Sequence, residues 1–197
     1  TGDGAKADLL QNEVYGARFH TGGPGSDGDL FYKDEVVSNV IDRVGLDRHL
    51  ATLARDAGAD LREDHTVTGV AEFDDHVEVT VSGPDGVATH DAKMVVGSDG
   101  PRSRVRDELG LDEPGEILHG VLGFDPEADA QDYVDVHLTV PEFFAWRIPR
   151  GDAGVEYGLA TPPGDDVRAA FDEFCDAYGA AVDERCSGAI PIGPPDT

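Results

Sequence analysis

The residue pattern predicts a mixed α+β fold, part of it α/β, made of short strands, few helices and tight turns. Three observations carry that prediction. Alternating apolar and polar residues recur between turn formers from Thr66 to Val96. The stretch Lys93–Arg106 passes from an apolar run through Gly97-Ser98-Asp99-Gly100-Pro101 into a helix-like segment. A second helix with a continuous apolar stripe, Val167–Tyr178, follows a further group of strand-like runs. At 197 residues the chain is long enough for a real core in one large domain or two small ones.

Taken in order, Thr1–Tyr32 is rich in glycine and poor in periodicity, so residues 1–33 are expected to form an irregular lead-in. Two literal dinucleotide-type patterns occur there, Gly2-Asp3-Gly4-Ala5-Lys6-Ala7 and Gly23-Pro24-Gly25-Ser26-Asp27-Gly28. That fingerprint binds pyrophosphate only between a strand and a helix N-terminus. The second holds Pro24 and runs into strand-like Asp29-Leu30-Phe31-Tyr32, so both read as loops. Glu35–Ile41 is β-branched and strand-like. Leu46, Leu50, Leu53, Ala54 and Ala57 then form a helical stripe that Gly58 ends.

Three strands follow, at about Thr66–Phe73, His76–Ser82 and Val87–Val96, joined by Asp74-Asp75 and Pro84-Asp85-Gly86 as a meander. A helix over about Ser103–Leu109 comes next, and Gly110–Gly115 marks a boundary. Tyr133–Val140, Phe143–Ile148 and Val155–Ala160 read as strands, with Arg150–Gly154 as a turn. In the Val167–Tyr178 helix, Asp165 or Asp166 can cap the start and Gly179 the end. The tail Gly188–Pro195 reads as extended, without a closing element.

Charge and cysteine content restrict the partners. Against 41 acidic residues stand 15 basic ones, twelve of them Arg, for a formal charge of -26. Such acidity argues against nucleic acid and anionic membrane as general partners. It also suggests a salt-rich, salt-in halophile cytoplasm, because molar salt cuts the screening length to roughly 3 Å. No apolar run approaches membrane-spanning length and no basic-then-apolar signal pattern is present, so a cytoplasmic location is expected. Cys175 and Cys186 stand apart from any CxxC and are expected to be free, buried thiols. The seven histidines form no metal spacing, so no metal site is expected.

The chemistry-bearing candidates are few. Gly97-Ser98-Asp99-Gly100 offers backbone donors and a carboxylate that can take a ribose or ribityl hydroxyl; equally, Asp99 can simply cap the helix that follows. Arg102 and Arg106, one helical turn apart, can face phosphate or pair with Asp107 and Glu108. Arg43 stands where a strand meets a helix and can contact a ligand, or pair with Asp42 or Asp47. In Phe143-Phe144-Ala145-Trp146, strand alternation puts Phe144 and Trp146 on one face and Phe143 on the other. That face can hold an apolar substrate or pack on the Val167–Tyr178 helix.

These residues together resemble a known family. Val95-Val96-Gly97-Ser98-Asp99-Gly100-Pro101-Arg102-Ser103-Arg104-Val105-Arg106 is similar to the Asp-Gly motif of FAD-dependent reductases and hydroxylases of the p-hydroxybenzoate hydroxylase class, through Gly97, Asp99, Gly100, Ser103, Val105 and Arg106. Asp42–Leu50 with Ala54–Ala59 resembles the segment before the meander in those enzymes. Pro141–Gly151 resembles the Tyr-x-Trp-x-Phe-Pro signature of geranylgeranyl reductases, with Phe144 at the usual Tyr and Ile148 at the usual Phe.

The resemblance implies an internal fragment of a geranylgeranyl-reductase-like flavoprotein. Residues 34–112 would be part of an FAD-binding domain with its meander. Residues 113–197 would be part of a substrate domain built on an antiparallel sheet. FAD would be held by Arg43, Gly97, Asp99, Gly100, Ser103 and Arg106, and an isoprenoid or lipid precursor by Phe144, Trp146 and Pro149. No residue is implied as the proton donor. NAD(P)H or ferredoxin are the candidate reductants, and the intact enzyme has room for peripheral membrane contact.

A Gly-rich fingerprint before Thr1 and a Gly-Asp-Ala motif after Thr197 are expected elsewhere in the protein, so this piece alone is expected to bind FAD weakly and to be inactive. An FAD-dependent aromatic hydroxylase or halogenase and a non-enzymatic α+β binding module are the alternative readings.

Overall fold

The computed structural model describes residues 9–193. It is a mixed α+β structure with two compact units: residues 9–52 with Leu118–Ile190, and Leu53–Ile117 with residues 191–193.

The first unit is built on a seven-stranded sheet. Its strands are β2 (Gly16–His20), β3 (Asp29–Tyr32), β8 (Glu116–Asp125), β9 (Tyr133–His137), β10 (Ala145–Pro149), β11 (Val155–Thr161) and β12 (Glu184–Ile192), in the order β12-β8-β11-β10-β9-β2-β3. Most described pairs are antiparallel; β2 and β9 run parallel, so the expected antiparallel sheet is in fact mixed. Beside it, β1 (Leu10–Val14) pairs with β4 (Ser38–Ile41). The helix α1 (Arg43–Asp56) opens where Asp42 accepts the Gly45 N–H at 3.0 Å.

The core lies under the helix α3 (Val167–Tyr178). Phe171, Phe174 and Cys175 pack against Val121, Ala145, Val155, Tyr157 and Leu159. The helix falls where its stripe predicts because both ends are satisfied locally. Asp166 accepts the N–H groups of Arg168 and Ala169, and Gly179 adopts φ 67° to close the last turn.

The second unit holds the meander β5 (Thr66–Glu72), β6 (Val77–Gly83) and β7 (Gly86–Ala92), with the short helix α2 (Arg104–Glu108). Gly86 takes φ 108° at the turn between β6 and β7, which a side chain would resist.

Several expectations are corrected. The lead-in read as irregular carries β1 and β2, whose partners β4 and β9 lie far along the chain, while the run Asp29–Tyr32 is a strand, β3, as read. Short strands of this kind show no local period when buried and half-buried residues are mixed along them, as in β1 and β2. The Gly23–Gly28 pattern is a loop, as read; the Gly2–Ala7 pattern lies outside the described residues.

The third meander strand stops at Ala92, and Lys93–Val96 is neither strand nor buried: Met94 and Val96 are each 76% exposed. An apolar run becomes a strand only where its backbone finds a partner, and among the described residues this one has none. The ten-residue β8 was missed, although Ile117-Leu118 and Val121-Leu122 lie in it; its two glycines and buried Asp125 break the usual alternation. The tail is extended as read, and its residues 188–192 belong to β12, which pairs with β8. Both thiols are free as expected, but Cys186 is exposed; burial pushes the Cys175 thiol up to about 11.

Candidate functional site

The Asp99 turn is organised from within. Ser103, not Asp99, caps α2: its hydroxyl accepts the Arg106 N–H at 3.0 Å and donates to Asp99 Oδ1 at 2.6 Å. Asp99 Oδ2 accepts the N–H groups of Arg104, at 2.8 Å, and Val105, at 3.3 Å. The Ser103 hydroxyl, aided by these backbone donors and opposed by burial, holds the Asp99 carboxyl below the usual range. Gly97 is needed because a Cβ there would sit 2.9 Å from Val105 Cβ, and Gly100 takes φ 81° with open space where a side chain would be.

Among the described residues, no hydrogen bond engages the N–H groups of Gly97, Ser98 or Gly100. A tethered carboxylate held below its usual range, beside free backbone donors and an open glycine, suits a polar ligand bearing hydroxyl and anionic groups, as FAD does. Arg106 is less available than the sequence suggests. Its Nη2 donates to the Pro101 carbonyl at 2.8 Å, although its buried Nε has no partner. Arg43 pairs with Asp47 at 3.2 Å and is 72% exposed; nothing in its own unit holds it toward a ligand.

The aromatic residues fall on a face of the seven-stranded sheet that the strand registers define. Phe19, Val136, Trp146, Gly158 and Leu122 stand side by side across β2, β9, β10, β11 and β8. Phe31, Ala17 and Val134 form a second apolar row beside them. Among the described residues, the helix packed on this sheet is α3, which lies on the other face.

Two hollows lie along the open side. One of 540 Å³ is bordered by Ala17, Phe31, Tyr32 and Val37, with Lys33 also in its lining; the other, of 220 Å³, is bordered by Leu122, Trp146 and Ile190. Trp146 lies flat because Gly158 beneath it has no Cβ to collide with the indole, and its Nε1–H donates to Glu156 at 2.9 Å.

Phe144 meets Trp146 at 5.8 Å between ring centroids, as the sequence reading placed it. Phe143 does not point to the other face; it stacks on Phe144 at 4.5 Å. Both precede β10, after Glu142 at φ 61°, so strand alternation does not govern them. Pro149 is fully buried and shares strand parity with Ala145 in the core, so it is not brought together with Phe144 and Trp146. Phe19, Phe31, Leu122, Val136 and Gly158 were missed. The glycine inside the β11 run was the one local signal available.

Residues 27–168 match the FAD binding domain family. The chain is similar to the 12-dehydrotetracycline 5-monooxygenase/anhydrotetracycline 6-monooxygenase of Streptomyces rimosus, 32% identical over 92% of this chain and 33% of that protein. It is also similar to the digeranylgeranylglycerophospholipid reductase of Thermoplasma volcanium, 28% identical over 78% of this chain and 41% of the relative. It thus spans between a third and about two fifths of these relatives. A solved geranylgeranyl bacteriochlorophyll reductase-like protein from Thermoplasma acidophilum shares the fold, with a TM-score of 0.82 and 22% identity over 94% of this chain and 52% of that one. The halogenase PltM, solved with phloroglucinol and FAD, shares it at a TM-score of 0.68 and 16% identity, over 90% of this chain and 44% of that one. With most of its length matched by the family, the chain belongs to the FAD binding domain family, and FAD is its cofactor.

Proposed function

We propose that the chain is part of a flavin-dependent reductase that saturates isoprenoid double bonds of lipid precursors. The observation that carries this reading is the continuous apolar row Phe19, Val136, Trp146, Gly158 and Leu122, flanked by Phe31 and Phe144. Such a face, with only scattered polar groups, suits a long branched hydrocarbon better than a compact polar substrate. In this reading Phe144 and Trp146 line the hydrocarbon site and exclude water from it.

The Asp99 turn binds FAD through the Asp99 carboxylate and the free N–H groups of Gly97, Ser98 and Gly100, with Ser103 fixing the carboxylate. Arg106 adds positive charge beside the turn. Reduced FAD supplies the hydride equivalent. Electrons from NAD(P)H or ferredoxin, a cytoplasmic setting rich in salt and peripheral contact with membrane lipid complete the proposal.

The test is the full protein with reduced flavin and a geranylgeranyl ether lipid under anaerobic conditions. Saturated prenyl chains by mass spectrometry support the reading; no saturation, with oxygen-dependent hydroxylation of an aromatic compound instead, overturns it. That second reading is favoured by one specific observation, the 32% identity to a tetracycline-pathway monooxygenase.

A further inference from the structure

The α3 side of the sheet contains a buried polar group that neither the flavin turn nor the apolar face uses. Asp135 on β9 is fully buried. It accepts from Arg18 Nε at 2.7 Å, His20 Nε2 at 2.8 Å and Gln131 Nε2 at 3.0 Å, with Arg147 Nη1 at 3.4 Å. The other ring nitrogen of His20, Nδ1, lies 3.0 Å from the Ser26 carbonyl oxygen. A carbonyl and a carboxylate can only accept, so each ring nitrogen of His20 faces an acceptor.

The His20 ring is stacked on His137, with centroids 4.2 Å apart and planes 8° from parallel. His137 is fully buried; its Nε2 meets the Tyr178 hydroxyl at 2.7 Å and its Nδ1 has no partner among the described residues. With Tyr178 donating to Nε2, the neutral ring carries its proton on Nδ1, so a second proton would have to displace that bond at Nε2 and stand beside the His20 ring.

We propose that the His20–His137 stack is a one-proton latch, holding its proton on His20 and coming apart when a second proton reaches His137. The latch joins two elements. Through Ser26, His20 holds the glycine loop of residues 21–28, and Gly28 is required there because a Cβ would sit 2.9 Å from the His20 ring. Through Tyr178, His137 holds the last turn of α3. One glycine of the pattern that mimics a nucleotide fingerprint, Gly28, therefore makes room for a buried histidine.

The charged and titratable groups facing His137 are His20 and Arg18 from β2, Asp135 on its own strand, Arg147 from β10 and Tyr178 from α3. Burial, with the His20 charge adding to it and Asp135 opposing, pushes the His137 imidazole down to about 4. Burial and the nearby Asp135 push the Tyr178 hydroxyl up, so Tyr178 stays a donor to His137. The sign follows directly. The folded state refuses a proton that the unfolded chain accepts, so stability is full above about pH 6.5, is lost as pH falls towards about 4, and levels off below.

The test uses the full-length protein with ¹⁵N-labelled histidine, read by imidazole NMR and amide hydrogen exchange. At about pH 7 His20 should show two protonated nitrogens and His137 one. On acidification, proton uptake by His137 should coincide with faster exchange in residues 21–28 and at the α3 C-terminus. His137→Phe keeps a stacked ring without a titrating nitrogen and should remove most of that acid-triggered exchange. A singly protonated His20 in the folded protein, a charged His137 with exchange unchanged, or a His137→Phe protein that opens with acid as the wild type does would each overturn the latch. Should His137→Phe fail to fold, the wild-type spectra alone decide.

Discussion

The two faces of the seven-stranded sheet differ by one residue of register and by almost everything else. On one side Arg18, Asp135, Arg147, Tyr157 and Gly123 stand in a row; on the other, one position along each strand, stand Phe19, Val136, Trp146, Gly158 and Leu122. The first row is closed by α3, and its polar members are paired in the dry interior: Arg147 bonds to Asp129 and Asp135, and lies over the Tyr178 ring at 5.6 Å. The second row is apolar and carries no helix among the described residues. Burial therefore does not sort polar from apolar here. The covered face can hold charges because each finds partners, whereas the apolar face is left open, as a binding surface must be.

Substitutions that act on one face only break or sharpen this contrast. The largest effect is expected from Phe171→Ala on the covered side. That ring is fully buried in the core, and its loss should cost about 3–5 kcal/mol in denaturant unfolding. Trp146→Ala should cost less, because the indole is only partly buried, but abolish prenyl saturation by the full protein. Equal stability losses for the two would dissolve the distinction between the faces.

Next in size is Gly158→Ala. The new methyl has no room under the indole, so Trp146 must lift, costing about 1–3 kcal/mol and shifting the tryptophan emission of the chain's single Trp. An unmoved spectrum would remove Gly158 from the site.

Asp99→Ala should weaken FAD binding roughly tenfold by flavin fluorescence titration, the effect of one charge-assisted hydrogen bond. Ser103→Ala should do part of the same by releasing Asp99. The smallest effect is from salt: with a charge of -26, the melting temperature should rise by a few degrees from low to molar KCl, alike in wild type and in Trp146→Ala. No rise at all would separate the acidic composition from any salt-rich setting.

Legibility in the sequence followed the range of the interactions. The meander was readable because its turns sit between partners that are neighbours in the chain. The helix α3 was readable to the residue because its caps and stripe are local. The Asp99 motif was readable as a turn, though its internal wiring, with Ser103 rather than Asp99 as the cap, was not. Strands β1, β2 and β8 escaped because their partners are distant and their patterns are interrupted by glycine or by buried charge. The fully buried Asp135 and His137 gave no warning, since a carboxylate and an imidazole look the same in sequence whether solvated or sealed.

By itself, then, the sequence determined the α+β class, the meander, the α3 helix with its caps, the acidic surface and the glycine–aspartate turn, all of them set by interactions spanning a few residues. Only the tertiary structure decided which side of the central sheet is closed, that Phe144 and Trp146 share the open side while Pro149 does not, and that His20, Asp135 and His137 meet. Those outcomes depend on strand register between segments more than a hundred residues apart. A shift of one residue there exchanges the two faces, and no local pattern fixes it.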